Sequence, residues 1–359
     1  MSGPTLVLMS VGLPPPKRIT IADVASRANV STAAVSKVLR NAYGVSPAMQ
    51  ERVRQAMTEL GYRPHAAARG MRGQTYTIGV MIPDVRNPFF PEIIESLSEH
   101  LDGTDYQVLL GPGGSDTESQ TRITDAMVDR RMDGLVMIAP IAPRRELEAI
   151  AKTVPMVVIG RHGRSTEYDT VVDDDIMGAG LIVDHLADLG HQRIAHIGHK
   201  DRGPSWPATM PQTVRAEGYR QAMRRRGLEA QIDIVLTSYS EEGGYSAARE
   251  LLSRPVRPTA IFAGADVAAI GVLEAAYELG LRVPEDVSLA GYDNTSIAAL
   301  GPISLTSVDQ DGHLMGSNAA RLLLERIEQK RHRSVLLSLS PTLVPRRSTR
   351  SPLADSGGA

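Results

Sequence analysis

Several residues in this chain have types and spacings that could do chemistry, and the acid–base and metal candidates come first. His185, His191, His196 and His199 lie close in sequence, but their spacings of six, five and three match no zinc ligand pattern and read as strand and loop histidines. The glycines of GPGG (111–114) lack the continuation of a phosphate loop, either GxGxxG or GxxxxGKS/T. No GxSxG elbow occurs, and the run Asp173-Asp174-Asp175 reads as a helix-capping turn. With zero cysteines there is no disulfide or thiol chemistry. Nothing here forms a catalytic constellation, a metal site or a cofactor site, so an enzyme is disfavoured.

A different chemistry sits just after apolar, strand-like runs. Asp293 follows VSLAGY and Asp266 follows AIFAG. A carboxylate at such a place accepts hydrogen bonds from ligand hydroxyls, or else caps the helix that follows. Phe89 and Phe90, two of only three phenylalanines, follow TIGVMI. One of them is expected to stack on a ligand ring, Phe89 being the choice, and the other to staple a helix to the core. Arg161 follows MVVIG, and its guanidinium leaves room for an anionic ligand. Arg215 opens RAEGY, where a guanidinium suits vicinal hydroxyls or a carboxylate, or a surface ion pair.

The third chemistry is nucleic-acid recognition. From Lys17 to Gly73 there are ten Lys/Arg against three Asp/Glu, a net of +7, so the rest of the chain holds −9 of the whole-chain −2. A basic head on an acidic body is the footprint of a modular DNA binder. Within the head, Thr20 and Asp23 form a capping-box pattern, followed by the apolar stripe Val24, Ala25 and Ala28. Asn29-Val30 supplies a turn. Ser31 then caps a second helix with inner face Ala34, Val35 and Val38. Ser46-Pro47 starts a third, lined by Val53, Ala56, Met57 and Leu60 and stopped by Gly61. Such a helix-turn-helix puts the start of its second helix in the major groove. Thr32 and Ala33 would meet base edges, Lys37 would read guanine, and Arg40 would reach a base or phosphate. Thr20, Ser31, Ser36, Asn41 and Tyr62 are candidate phosphate contacts.

The run TIADVA…VSTAAVSKVLRN…VSPAMQERVRQAMTELGYRPHAAARGMR resembles the DNA-binding head of the LacI/GalR family of bacterial transcriptional regulators. Resemblance continues in IGVMIPDVRNPFF, DGLVMI, DHLADLGHQRIAHIG, RPTAIFAGADVAAIGVLEAAYELGLRVPEDVSLAGYDN and LVPRRST, covering about residues 18 to 350. It implies a two-lobed body like the type I periplasmic-binding-protein fold, with three chain crossings between lobes and an effector, often a sugar, in the cleft. It implies that Arg215 contacts effector and that Tyr239 lies over it. Two departures bear on the ligand: Arg161 stands where the family often has an acid or aromatic, and Ala265-Asp266 where it usually has Asn-Asp. The family relation also implies a homodimer on palindromic operator DNA. The resemblance further implies that an apolar side chain wedges into the minor groove from the place Met71 occupies, the alternative being a plain tether in which Arg69 and Arg72 add only charge.

The supporting elements follow from hydrophobic patterning. Strands are expected over 77–82, 106–111, 134–138, 156–160, 170–172, 193–198, 260–264 and 287–292, with helices over 91–101, 119–131, 178–189, 215–226, 242–252 and 266–279. Alternation of this kind indicates doubly wound parallel sheets, run through twice. The expected fold is thus an all-α helix-turn-helix head followed by an α/β two-lobed body. The division is 1–17 disordered extension, 18–63 DNA-binding domain, 64–75 hinge helix, 76–350 effector-binding and dimerisation domain, and 351–359 disordered tail. The hinge, rich in alanine but only about ten residues long, should be helical only when two copies pack on DNA. Trp206, in a proline-rich loop, either covers the cleft or lies on the surface. No apolar run reaches 18 residues, and the N-terminal stretch lacks a basic start and contains four prolines, so neither a membrane partner nor a signal peptide is expected and the location is cytoplasmic, at the nucleoid. An exported ligand-binding protein is the alternative reading; the basic head and the absent export signal speak against it.

Overall fold

The chain was analysed as a computed structural model that describes residues 19–39, 44–62, 74–200 and 207–352. They fall into two compact units that divide between Gly73 and Gln74.

Among its described residues the first unit holds three helices: α1 (Ile21–Ala28), α2 (Thr32–Leu39) and α3 (Pro47–Leu60). Thr20 and Asp23 close a reciprocal capping box at the start of α1, and Asn29 ends it in the left-handed region at φ 53°. The Ser31 hydroxyl accepts from Ala34 N–H at 3.1 Å, starting α2 three residues after α1 stops. Ser46 caps α3 ahead of Pro47, and Gly61 terminates it at φ 63°. Val24, Ala25, Ala28, Val35, Val53 and Ala56 form the buried centre, with Val38, Met57, Leu60 and Tyr62 packed around it. That inner face leaves Thr32, Ala33 and Lys37 of α2 in solvent.

The second unit has two six-stranded sheets. Lobe 1 contains β1 (Thr77–Ile82), β2 (Gln107–Pro112), β3 (Gly134–Ile138), β4 (Met156–Ile159), β5 (Asp169–Asp173) and β11 (Leu336–Leu339). Their order is β11-β5-β4-β3-β1-β2, and every pair is parallel. Lobe 2 contains β6 (Ile194–His199), β7 (Asp233–Thr237), β8 (Ala260–Ala263), β9 (Ser288–Tyr292), β10 (Thr306–Asp309) and β12 (Thr342–Val344), in the order β12-β10-β9-β8-β6-β7. Here only β12 runs antiparallel, against β10. Helices α4 (Phe89–His100), α5 (Thr117–Asp129), α6 (Arg144–Ala151) and α11 (Gly312–Glu328) cover lobe 1, and α7 (Asp175–Asp188), α8 (Pro211–Arg225), α9 (Glu241–Leu252) and α10 (Asp266–Glu278) cover lobe 2. The central strands, such as β3 and β9, are buried at every position, as parallel strands sandwiched between helices must be.

The chain passes between lobes three times: at Asp173–Asp175, at Asp309–Gly312 and at Leu339–Thr342. The expected elements occur with ends shifted by at most four residues, β1 and β3 without any shift, while α6, α11 and the strands β7, β10, β11 and β12 lie outside the expected set. Among the described residues no helix is long and apolar enough to cross a membrane.

Candidate functional site

In a doubly wound sheet the carboxyl ends of the strands open onto a crevice. Here both lobes turn those ends toward one cavity of about 100 Å³, several times the space one water needs. Lobe 1 lines it with Asn87, Phe89, Phe90, Ile138 and Gly160. Lobe 2 adds Arg215, Tyr239, Ala265 and Asp293, and the second crossing adds Gln310.

Asp293 sits directly after β9 at φ 115°, a left-handed backbone that is costly for a residue with a Cβ and is held by its surroundings. One carboxylate oxygen accepts from Gln310 Nε2 at 2.5 Å, while the other is buried and has no partner. Burial pushes this carboxyl well above its usual range, Asp266 adds to the push, and Arg215 and the Gln310 hydrogen bond oppose it. A buried acceptor without a partner costs free energy until a donor arrives, so this oxygen is a place for a ligand O–H or N–H.

Arg215, in the first half of α8, is held from three sides. Its Nε and Nη2 approach Asp175 Oδ1 at 2.8 and 2.7 Å, Nη1 donates to the Gly264 carbonyl, and the guanidinium lies over the Tyr292 ring. Three of the five guanidinium N–H groups are thereby committed, leaving one on each terminal nitrogen for a ligand. Asp175 is the counter-charge of this guanidinium. The buried Tyr239 hydroxyl has no hydrogen-bond partner and lies where a Cβ on residue 264 would come within 2.0 Å, so glycine there makes room for it. Phe89 and Phe90 both line the cavity, with ring centroids 6.1 Å apart, and Phe89 is also part of the lobe 1 core.

Two expected site residues point elsewhere. Arg161 donates from Nη1 to the carbonyls of Pro140 and Ala142 within its own lobe, and it does not line the cavity. Asp266 is turned back into lobe 2, where Oδ2 accepts from Thr295 N–H at 2.8 Å and Thr295 Oγ1 at 3.0 Å, and Oδ1 accepts from Ser307 Oγ at 2.6 Å. Burial pushes its carboxyl up to about 6 against those hydrogen bonds. Its place is behind the wall, bracing the turn that carries Asp293. The acidic run is split as well. Only Asp174 caps α7, accepting from Met177 N–H at 2.9 Å; Asp175 holds Arg215, and Asp173 accepts from Tyr292 O–H at 2.7 Å.

Sequence reading missed Asp175, Gln310, Asn87 and Tyr292. All lie in or beside stretches it had singled out without being given a role there: Asp175 in the acidic run, Asn87 in IGVMIPDVRNPFF, Tyr292 in VSLAGYDN and Gln310 just after the strand-like run that follows it. In the head, the Thr20 hydroxyl is engaged with Asp23 at 2.7 Å, and Tyr62 packs on the helical core. Arg40, Asn41, Met71 and Trp206 lie outside the described residues.

A helix-turn-helix head preceding a two-lobed body, whose largely apolar cleft carries a few polar groups at the strand ends, defines a ligand-responsive DNA-binding regulator. Residues 20–65 match the family described as bacterial regulatory proteins, lacI family, and residues 183–349 match the periplasmic binding protein-like domain. The ribose operon repressor of Escherichia coli (strain K12) is 35% identical over 334 residues, spanning 92% of this chain and 99% of that protein. A solved lac repressor dimer bound to operator and the anti-inducer ONPF superposes with a TM-score of 0.76 at 26% identity, covering 93% of this chain and 100% of that one. A LacI family regulator from Enterococcus faecium with bound ribose gives 0.66 at 28% identity, covering 77% and 99%. The chain belongs to the lacI family of bacterial regulatory proteins: it is a DNA-binding transcriptional repressor with a small-molecule effector.

Proposed function

We propose that the effector is a neutral monosaccharide, a pentose such as ribose being the first choice, bound between the lobes. The unpartnered Asp293 oxygen carries this reading, because it needs a donor inside a cavity that also presents Arg215, Tyr239 and two phenylalanines. Neutrality follows from charge. Arg215 is paired with Asp175 and Arg161 is turned away, so among the described residues lining the cavity no cation lacks a counter-charge, which favours a neutral ligand over a phosphate or carboxylate. Just outside, Asp84, Glu241 and Glu242 outnumber Arg86 around the adjoining pocket, which disfavours an anion further.

On the DNA side, Thr32, Ala33 and Lys37 on the exposed face of α2 read bases, with Arg40 beyond them. Ser31, Ser36 and Asn41 position the head on phosphates, and Met71 wedges the minor groove. Two copies bind a palindromic operator as a homodimer. Its support on the body is the pair of sheet edges β2 and β7, whose Leu109, Leu110 and Leu236 are 46%, 52% and 53% exposed on strands with an open edge. The protein works on cytoplasmic, nucleoid DNA and carries out no catalysis. Titration calorimetry with D-ribose and with ribose 5-phosphate tests the effector. Binding of the free sugar, with the phosphate at least tenfold weaker, is the expected result; preferential binding of the phosphate overturns it.

A further inference from the structure

His162 lies in the 160–168 segment of lobe 1, two residues beyond the cavity-lining Gly160. Both ends of this residue reach the other lobe. Its backbone N–H donates to the Thr209 carbonyl at 2.8 Å, just ahead of α8. Its ring Nε2 is 2.7 Å from Asp175 Oδ2 at the first turn of α7. Asp175 uses its other oxygen for Arg215 Nε and Nη2. A single carboxylate, fully buried, therefore joins a lobe 1 imidazole to the guanidinium at the cavity, while the histidine keeps 22% of its side chain open to solvent.

We propose that His162 is a positioning residue that ties the arrangement of the two lobes to the orientation of Arg215 at the cavity. When the lobes swing apart the imidazole leaves Asp175, and the carboxylate that orients Arg215 loses half of its support. The regulatory meaning of this coupling rests on the cleft being the effector site, as proposed above; the contact itself does not. A protonated imidazole makes the stronger bond to a buried carboxylate. The charged groups facing the ring are Asp175 from α7, Asp173 at the end of β5 and Arg215 from α8. Burial lowers the affinity of His162 for a proton, but the hydrogen bond and charge of Asp175 outweigh it, and the balance lies above the ordinary 6.5. The joined arrangement thus binds a proton more tightly than a solvated imidazole does. Its advantage is complete below about pH 6.5 and fades as pH rises through the raised value.

The chain contains no cysteine, so a label pair can be placed without background. Glu118→Cys on α5 and Glu250→Cys on α9, both exposed, would carry spin labels in the full-length protein with no ligand added, and the interlobe distance would be read at pH 6 and pH 8.5. The expected result is a shorter, narrower distribution at pH 6. His162→Ala should give the broad distribution at both pH values, and His162→Gln, which can still donate to Asp175, the narrow one at both. No pH shift in the parent overturns the proposal. A shift that survives in His162→Ala assigns it to Asp173 instead and also overturns it, as does His162→Gln behaving like His162→Ala. Because no sugar is present, failure here is distinct from failure of the ribose assignment.

Discussion

The guanidinium carbon of Arg215 lies 3.5 Å from the centroid of the Tyr292 ring. A cation over an aromatic face at this distance is attracted by the ring quadrupole, more so when both are dry. Tyr292 ends β9 and its neighbour Asp293 faces the cavity, so one strand end supplies both the platform for the cation and the acceptor for the ligand. The proposed effector contacts on Arg215 and Asp293 would therefore be mechanically linked through β9.

Asp293→Ala should weaken effector binding about 10- to 100-fold, equivalent to about 1.5–3 kcal/mol, the cost of leaving a buried polar group of the ligand without its partner. Operator affinity without effector should stay within about twofold of the parent, since the head is a separate compact unit. Calorimetry and a gel shift at fixed salt give the two numbers. Loss of operator binding in the absence of effector would make Asp293 a structural residue.

Asp173 tests the buried network by pH. Burial, then repulsion from Asp175, pushes its carboxyl up to about 7. A carboxyl whose folded value exceeds its unfolded one of 3.8 favours folding below the unfolded value, and that contribution is lost as pH rises through the folded value. Asp173→Asn keeps an acceptor for the Tyr292 hydroxyl and removes the ionisation. It should raise stability more at pH 8 than at pH 5, by an amount on the order of 1 kcal/mol or more, because the parent's contribution falls from the unfolded value upward. Thermal unfolding at the two pH values decides, and equal effects at both would show that Asp173 is ionised throughout.

Local signals made the elements legible. Thr20 with Asp23, and Ser46 with Pro47, are caps whose partners lie three residues away, and the buried runs of β1, β3, β4, β8 and β9 are continuous in sequence. Asp293, Arg215, Tyr239 and Phe89 were legible because position after a strand, or a matching motif, places a residue at the crevice. Arg161 and Asp266 obey the same rule and point backward, because side-chain direction there is decided by acceptors and donors 19 to 41 residues away. The Asp175 to Arg215 pair spans 40 residues, and nothing in an acidic tripeptide announces which of its members will cap a helix. The edge strands β7 and β11 are short and half exposed, so they lack the apolar run that marks a central strand.

Helices α9 and α10 approach closely because of glycine. A Cβ on Gly271 would fall 1.9 Å from the Glu241 carbonyl oxygen and 2.5 Å from Tyr245 N, and both are backbone atoms that cannot swing away. Gly271→Ala should destabilise the two-lobed body by about 1–3 kcal/mol, the usual cost of overpacking. Calorimetry of the full chain should show the body transition falling while the head transition stays put. An unchanged body transition would mean that the helix pair separates at little cost.

Lys37 is the residue that tests the proposed way the head reads DNA. It lies on α2 one turn after Thr32 and Ala33, on the face that the Val35 and Val38 side leaves in solvent. A lysine reading guanine O6 or N7 contributes about 1–3 kcal/mol of discrimination at one base pair, whereas a lysine on phosphate contributes equally to every sequence and steepens the salt dependence. Lys37→Ala should therefore weaken operator binding about 5- to 100-fold, chiefly through one base pair per half-site, and change binding to random DNA far less. Gel shifts on operator, on operators substituted at each half-site position, and on random DNA over a salt series supply the comparison. Equal losses on operator and random DNA, with the salt slope falling by about one, would place Lys37 on the backbone and leave base reading to Thr32 and Ala33.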